Sequence, residues 1–221
     1  MKKIVSLMIM IACLLTLFAC GESAPDPIDT VNRMYSVSCP TKIESRTVQT
    51  ISGRDYVSTE TVVCGKVDGK DASVYESAYD DLADIMENAA LPIVPRKARV
   101  EYLEGKGTRE NGGAWNAEGK NFAPTNGSIA INITKDTVTD AALSEDGKVF
   151  TCKIAAANTA AVFGEGNGIA SDVSVTITTN GSVVTCVELS WKVVKTLSTP
   201  EVDVVVKTDY SYDLEVITLT K

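Results

Sequence analysis

Two runs flanking Asn180-Gly181 constrain this chain more than any other feature. In residues 172–179 the apolar Val173, Val175 and Ile177 alternate with Ser174, Thr176 and Thr178; residues 182–189 supply a second Val-rich run. A period of two puts one set of side chains on one face of a strand. Asn-Gly accepts the left-handed backbone of a type I′ turn, so the segment predicts a two-residue β-hairpin. In that register Val175 faces Cys186 and Ile177 faces Val184. Trp191, Val193 and Val194 extend the second strand.

The same chemistry recurs along the chain. Tyr35, Val37 and Cys39 alternate with serines, and residues 47–51 and 56–67 are Thr- and Val-rich around a turn at Ser52-Gly53. Residues 96–103, 128–134, 149–157, 201–207 and 210–220 also read as strands, with Ala98, Val100 and Tyr102 sharing one face of the first. Many strands with Gly and Asp turns between them predict a mainly β, antiparallel, sandwich-like body; α+β is the alternative. One helix is expected to pack on a sheet. Ser73 and Glu76 form a Ser-x-x-Glu capping box, and Tyr75, Tyr79, Leu82 and Met86 follow at helical spacing up to Pro92. Glu76, Asp80, Asp84 and Glu87 would then face water. No shaping loop makes those acids a cation site, so no metal ligand is assigned.

Residues 104–127 interrupt the pattern with six glycines, several asparagines, Trp115 and Phe122. A structureless stretch of this length is uncommon inside a compact domain and is often functional. Arg109, Asn111, Trp115 and Phe122 are therefore the candidate ligand-contacting residues. The competing reading is a decorated hairpin whose aromatics pack on the core, and the stretch is also where two β-rich lobes would meet.

The N-terminus carries an address. Met1-Lys2-Lys3 is basic, residues 4–18 are apolar apart from Ser6 and Thr16, and Ala19 is small. That order is a secretory signal peptide. Its apolar run of about 15 residues falls short of the ~20 a membrane-crossing helix needs. Leu17-Phe18-Ala19-Cys20 resembles the lipobox of bacterial lipoproteins, with Leu at −3, a small residue at −1 and Cys at +1 of the cut. The resemblance implies diacylglycerol on the Cys20 thiol, removal of residues 1–19 and acylation of the new amino group, as with palmitate. Two or three chains anchor a protein stably where one does not. Phe18 departs from the small residue common at −2. Gly21 stands where Asp would favour inner-membrane retention, so the resemblance favours the outer membrane. Residues 20–32, with Pro25, Pro27 and four acids or glycines nearby, read as a flexible tether, and residues 33–221 as a single β-rich domain.

Of 21 basic residues, Lys2 and Lys3 lie in the leader, which leaves 19 against 29 acidic ones. This balance argues against nucleic acid and against docking on anionic head groups. There is no histidine, which excludes Ser-His-Asp and Cys-His catalysis. No cofactor motif is present. Cys39, Cys64, Cys152 and Cys186 remain beside Cys20, an even number that suggests two disulfides in an exported chain. Cys39–Cys64 and Cys152–Cys186 are the expected pairs among three pairings. The functional expectation is a membrane-anchored envelope lipoprotein with a non-enzymatic binding or structural role, toward a protein or glycan partner. The alternative is a hydrolase of envelope polysaccharide working through two carboxylates, which needs no histidine.

Overall fold

The structure is a computed structural model that describes residues 26–35, 39–80, 96–125, 131–165, 168–195 and 200–220. Among the described residues, ten strands make one antiparallel sheet: β1 (Lys42–Ile51), β2 (Arg54–Val67), β3 (Lys70–Tyr79), β4 (Arg96–Leu103), β5 (Gly107–Glu110), β6 (Val138–Leu143), β7 (Val149–Ile154), β8 (Val173–Thr179), β9 (Val184–Val193) and β10 (Val202–Ser211). Their order is β5-β4-β3-β2-β1-β10-β9-β8-β7-β6. Two five-stranded meanders therefore run outward in opposite directions from a central seam. At the seam β1 and β10 pair from Lys42↔Ser211 to Ile51↔Val202.

The mainly β class matches the alternation in the sequence. The sandwich expectation is corrected: the described residues form one sheet, not two packed face to face. The seam supplies the reason. Each meander alone would leave a long Val- and Thr-rich edge with unpaired backbone groups, and β1 and β10 satisfy each other over their full lengths.

Register defines two faces. Phe150, Cys152, Ile154, Val173, Val175, Ile177 and Val187 point to a core face and are buried. That face continues across the seam through Tyr210, Ile43, Val62, Tyr75 and Val100. A helix, α1 (Pro27–Tyr35), covers the core with Ile28, Val31 and Tyr35. Asp26 caps it, its carboxylate accepting from the Ile28 amide at 2.9 Å, and Pro27 sits at the first helical position where no N–H is needed. Lys135 bridges to Asp26, and Asn32 donates to the Ile133 carbonyl at 2.9 Å. A short second helix, α2 (Thr159–Phe163), adds Val162. No described helix is long and apolar enough to cross a membrane.

Several local expectations are corrected. Residues 27–32 belong to α1, with Val31 at 0% exposure, so they are not tether; residues 20–25 lie outside the described residues. Tyr35 ends that helix rather than opening a strand. Ser73 to Tyr79 lie in β3, not in a helix, and residues 81–89 of the expected helix lie outside the described residues. The i, i+4 spacing of Tyr75 and Tyr79 fits a period of two as well as 3.6. The hairpin at Asp68-Gly69, with φ of 51° and 79°, carries the strand through. Ile131 to Thr134 form no strand, although Ile133 is buried. The 172–189 hairpin exists, but Ile177 pairs with Val187 and Thr178 with Cys186. Asn180 accepts two amides from Ser182 and Val183 through its side chain instead of entering a type I′ turn, and a bulge beside Thr179 shifts the pairing.

Residues 212–220, expected to continue as a strand, instead form a strap over the outer face of the first meander. Tyr212 anchors its start by donating to the Val184 carbonyl at 2.8 Å. Ile217 and the Glu215 carbonyl lie close above Gly65, where an added Cβ would stand 3.3 Å from each.

Candidate functional site

The outer face of the first meander carries a buried carboxylate. Glu101 on β4 has 0% exposure. Its partners come from three segments. Arg99 Nε, two residues earlier on the same strand face, donates to Oε1 at 2.8 Å. Arg109 Nε on β5, in register with Glu101, donates to Oε2 at 2.6 Å. Thr220 on the strap donates to Oε1 through its amide at 2.8 Å and its hydroxyl at 2.7 Å. The arginines also hold the strap backbone: Arg99 donates to the Thr218 carbonyl at 2.6 Å and Arg109 to the Thr220 carbonyl. Glu76 on β3 closes the outer side by pairing with Arg99.

Burial alone would raise the Glu101 pKa. Thr220, through its hydroxyl and amide, and then Arg99 and Arg109 overcome that and hold it down to about 2. Oε1 accepts from Arg99 and from both Thr220 groups, and Oε2 from Arg109, so the carboxylate is a latch: it ties strap, β4 and β5 together.

Three of the four candidate loop residues gather at this latch. Arg109 lies over the Trp115 ring at 4.5 Å, with Lys106 at 5.5 Å on the same indole. Asn111, at φ 48°, exchanges two bonds with Arg99: its amide donates to the Arg99 carbonyl at 2.8 Å and its Oδ1 accepts from the Arg99 amide at 3.0 Å. Phe122 is separate. Its neighbour Asn121 accepts from the Ser73 hydroxyl at 2.8 Å, and Ser73 faces the core side because its register partner is Tyr102, next to Glu101. Gly107 lets the loop fold back on β5. A Cβ there would meet the Asn116 oxygen at 1.9 Å, and Thr108 and Asn116 pair across the gap.

Sequence reasoning missed Glu101, Arg99 and Thr220. Arg99-x-Glu101 lies on the charged face of an expected strand, which reads as solvated. The available signal was the alternation of residues 214–220, an apolar and Thr-rich segment with no polar face of its own.

No disulfide is present among the described residues. The Cys152–Cys186 pairing is excluded by register. Cys152 pairs with Val175, and Val175 with Leu189, so Cys186 lies two strands away and three residues along. At ~4.8 Å per strand and ~3.4 Å per residue the two Cα atoms stand roughly 14 Å apart, twice the reach of a disulfide, and the odd offset points them to opposite faces. Cys39 and Cys64 do come together. The Cys64 amide donates to the Thr41 carbonyl at 2.7 Å, and burial, then proximity to Cys39, pushes the Cys64 thiol up to about 11. Burial also raises Cys152 to about 11. Cys20 lies outside the described residues.

Two grooves border these elements. One, of about 370 Å³, runs beside the strap on the outer face and is lined by Thr59, Thr61, Glu76, Lys97, Arg99 and Asn111. The other, of about 210 Å³, is lined by Thr47, Gln49, Tyr56, Ser58, Tyr79 and Asp80; Tyr79 is 43% exposed there. Among the described residues, no group of three or more acidic or Cys side chains is arranged to hold a metal ion.

No family model and no curated protein matches the chain. Two solved structures are similar at low identity. A DUF1329 family protein from Desulfovibrio piger is 10% identical, with 87% of this chain and 95% of that chain covered, at a TM-score of 0.26. MucB in complex with MucA(peri) is 12% identical, with 83% and 93% covered, at a TM-score of 0.15. At TM-scores this low neither likeness bears on the fold or the function of this chain.

Proposed function

We propose that this protein is a lipid-anchored component of a bacterial cell envelope, with a non-enzymatic binding or structural role. The observation that carries the reading is Leu17-Phe18-Ala19-Cys20 at the end of a basic-then-apolar leader. Cys20 takes the lipid, and Gly21 after it favours the outer membrane. The mature acidic body is repelled by anionic head groups, so the lipid and not the surface charge holds it there. Cys39 and Cys64 bridge in that oxidising compartment, while Cys152 and Cys186 stay as thiols.

The binding reading draws on the groove at Tyr56 and Tyr79, where two phenols, an amide and hydroxyls converge; such side chains suit a protein or glycan partner. The polysaccharide-hydrolase alternative finds little support at the Glu76–Arg99–Glu101 cluster. A general acid needs a raised pKa, whereas Glu101 is held down to about 2 and is sealed from solvent.

Replacing Cys20 with Ser in the full chain tests the anchoring. The variant should leave the membrane fraction and appear soluble, with unchanged thermal unfolding of the body. Continued membrane association of a folded Cys20→Ser protein would overturn the reading.

A further inference from the structure

The strap is held in an unusual way for a segment of a β protein. Among the described residues, 212–220 make no backbone–backbone hydrogen bond. They are retained by side chains that reach in: Thr41 to the Asp213 carbonyl, Arg99 to Thr218, Arg109 to Thr220, and Glu101 receiving Thr220. Such a segment can leave without opening a single strand pair of the sheet. Its inward side chains, Glu215, Ile217 and Leu219, alternate with outward Leu214 and Val216, which are 94% and 91% exposed. The outer-face groove of about 370 Å³ runs on past the strap and shares Arg99 with it, so an arriving chain has room beside the resident one.

We propose that the outer face of β2–β5 is an interaction surface for the strap of a second copy of this chain, which exchanges for the resident strap and completes the Glu101 site in trans. The occupant is set by the chemistry in place. The site reads carbonyls at two positions through two arginines, a Thr amide and hydroxyl through one carboxylate, and an apolar side chain over Gly65. An identical strap restores every one of these bonds, so exchange costs little beyond association itself, as in domain swapping. The exposed Leu214 and Val216 lie two and four residues past Tyr212, beside the point where two exchanged straps would cross, so both are open to the second copy. This inference is independent of the lipid anchor.

Complementation tests it. A Glu101→Gln chain keeps its strap but has a crippled groove; a chain ending at Tyr212 has an intact groove and no strap. Each alone should remain monomeric on size-exclusion chromatography with light scattering, and an equimolar mixture should give a one-to-one complex. A mixture that stays monomeric, while the shortened chain unfolds cooperatively, would overturn the proposal. Should the shortened chain not fold, the wild-type protein is incubated with a labelled peptide of residues 212–221. Uptake over hours, reduced about 30-fold by Glu101→Gln (roughly 2 kcal/mol at tenfold per 1.4 kcal/mol), supports exchange. No uptake at large peptide excess refutes it.

Discussion

Replacing Glu101 by Gln removes the charge at the centre of the latch while keeping its shape. The Glu101 pKa lies at about 2 in the folded protein, against an ordinary value of 4.5. A depressed carboxylate stabilises the fold fully above its unfolded pKa, and that contribution disappears as pH falls through the folded one. At ~1.4 kcal/mol per unit the shift corresponds to roughly 3 kcal/mol. Arg99 keeps 30% of its side chain in solvent, and screening there lowers the expectation to about 2 kcal/mol. Urea unfolding at pH 7 should therefore show Glu101→Gln less stable than wild type by about 2 kcal/mol. The gap should hold down to about pH 5, narrow between pH 4.5 and 2, and close below that. A loss under about 0.5 kcal/mol at pH 7, or a gap that persists unchanged in acid, would refute the electrostatic account of the latch.

Three further outcomes follow from the geometry. Gly107→Ala drives a Cβ against the Asn116 backbone at φ 81°, whereas Gly53, at φ 79°, faces open space; the first should cost more than 2 kcal/mol and the second about 1, and equal losses in thermal unfolding would count against the close packing of the loop on β5. The Tyr35 hydroxyl is buried with no hydrogen-bond partner among the described residues, so Tyr35→Phe should be neutral or stabilising by up to about 1 kcal/mol; a clear loss in urea unfolding would reveal a partner. Peptide mapping of oxidised protein without reductant should join Cys39 to Cys64 and leave Cys152 and Cys186 as thiols, the buried Cys152 alkylatable only after unfolding; breaking the bridge with Cys64→Ser should cost roughly 3 kcal/mol, and a Cys152–Cys186 crosslink would contradict the strand register.

The strands were legible where apolar residues alternate against a core, most clearly in β7, β8 and the start of β10, and elsewhere from Val- and Thr-rich runs between turns. The seam was not, since nothing local in Lys42–Ile51 or Val202–Ser211 names a partner some 150 residues away. The sequence pattern points to a helix in the wrong stretch for a definable reason. Ser73-x-x-Glu76 and the Tyr75–Tyr79 spacing satisfy two periodicities, whereas Asp26-Pro27 followed by Ile28, Val31 and Tyr35 is a capped helix start hidden inside a Pro-rich segment. At the candidate site, Arg109, Asn111 and Trp115 were found because a Gly-rich loop drew attention to them. Glu101 escaped because a carboxylate on a charged strand face reads as solvated until a distant strap is known to cover it.

The envelope proposal rests on Cys20 becoming the lipidated N-terminus of the mature chain. Intact mass of the membrane-extracted mature chain tests it most directly. The expected product begins at Cys20 and carries diacylglycerol and acyl groups. An unlipidated chain, or one that begins elsewhere, would contradict it.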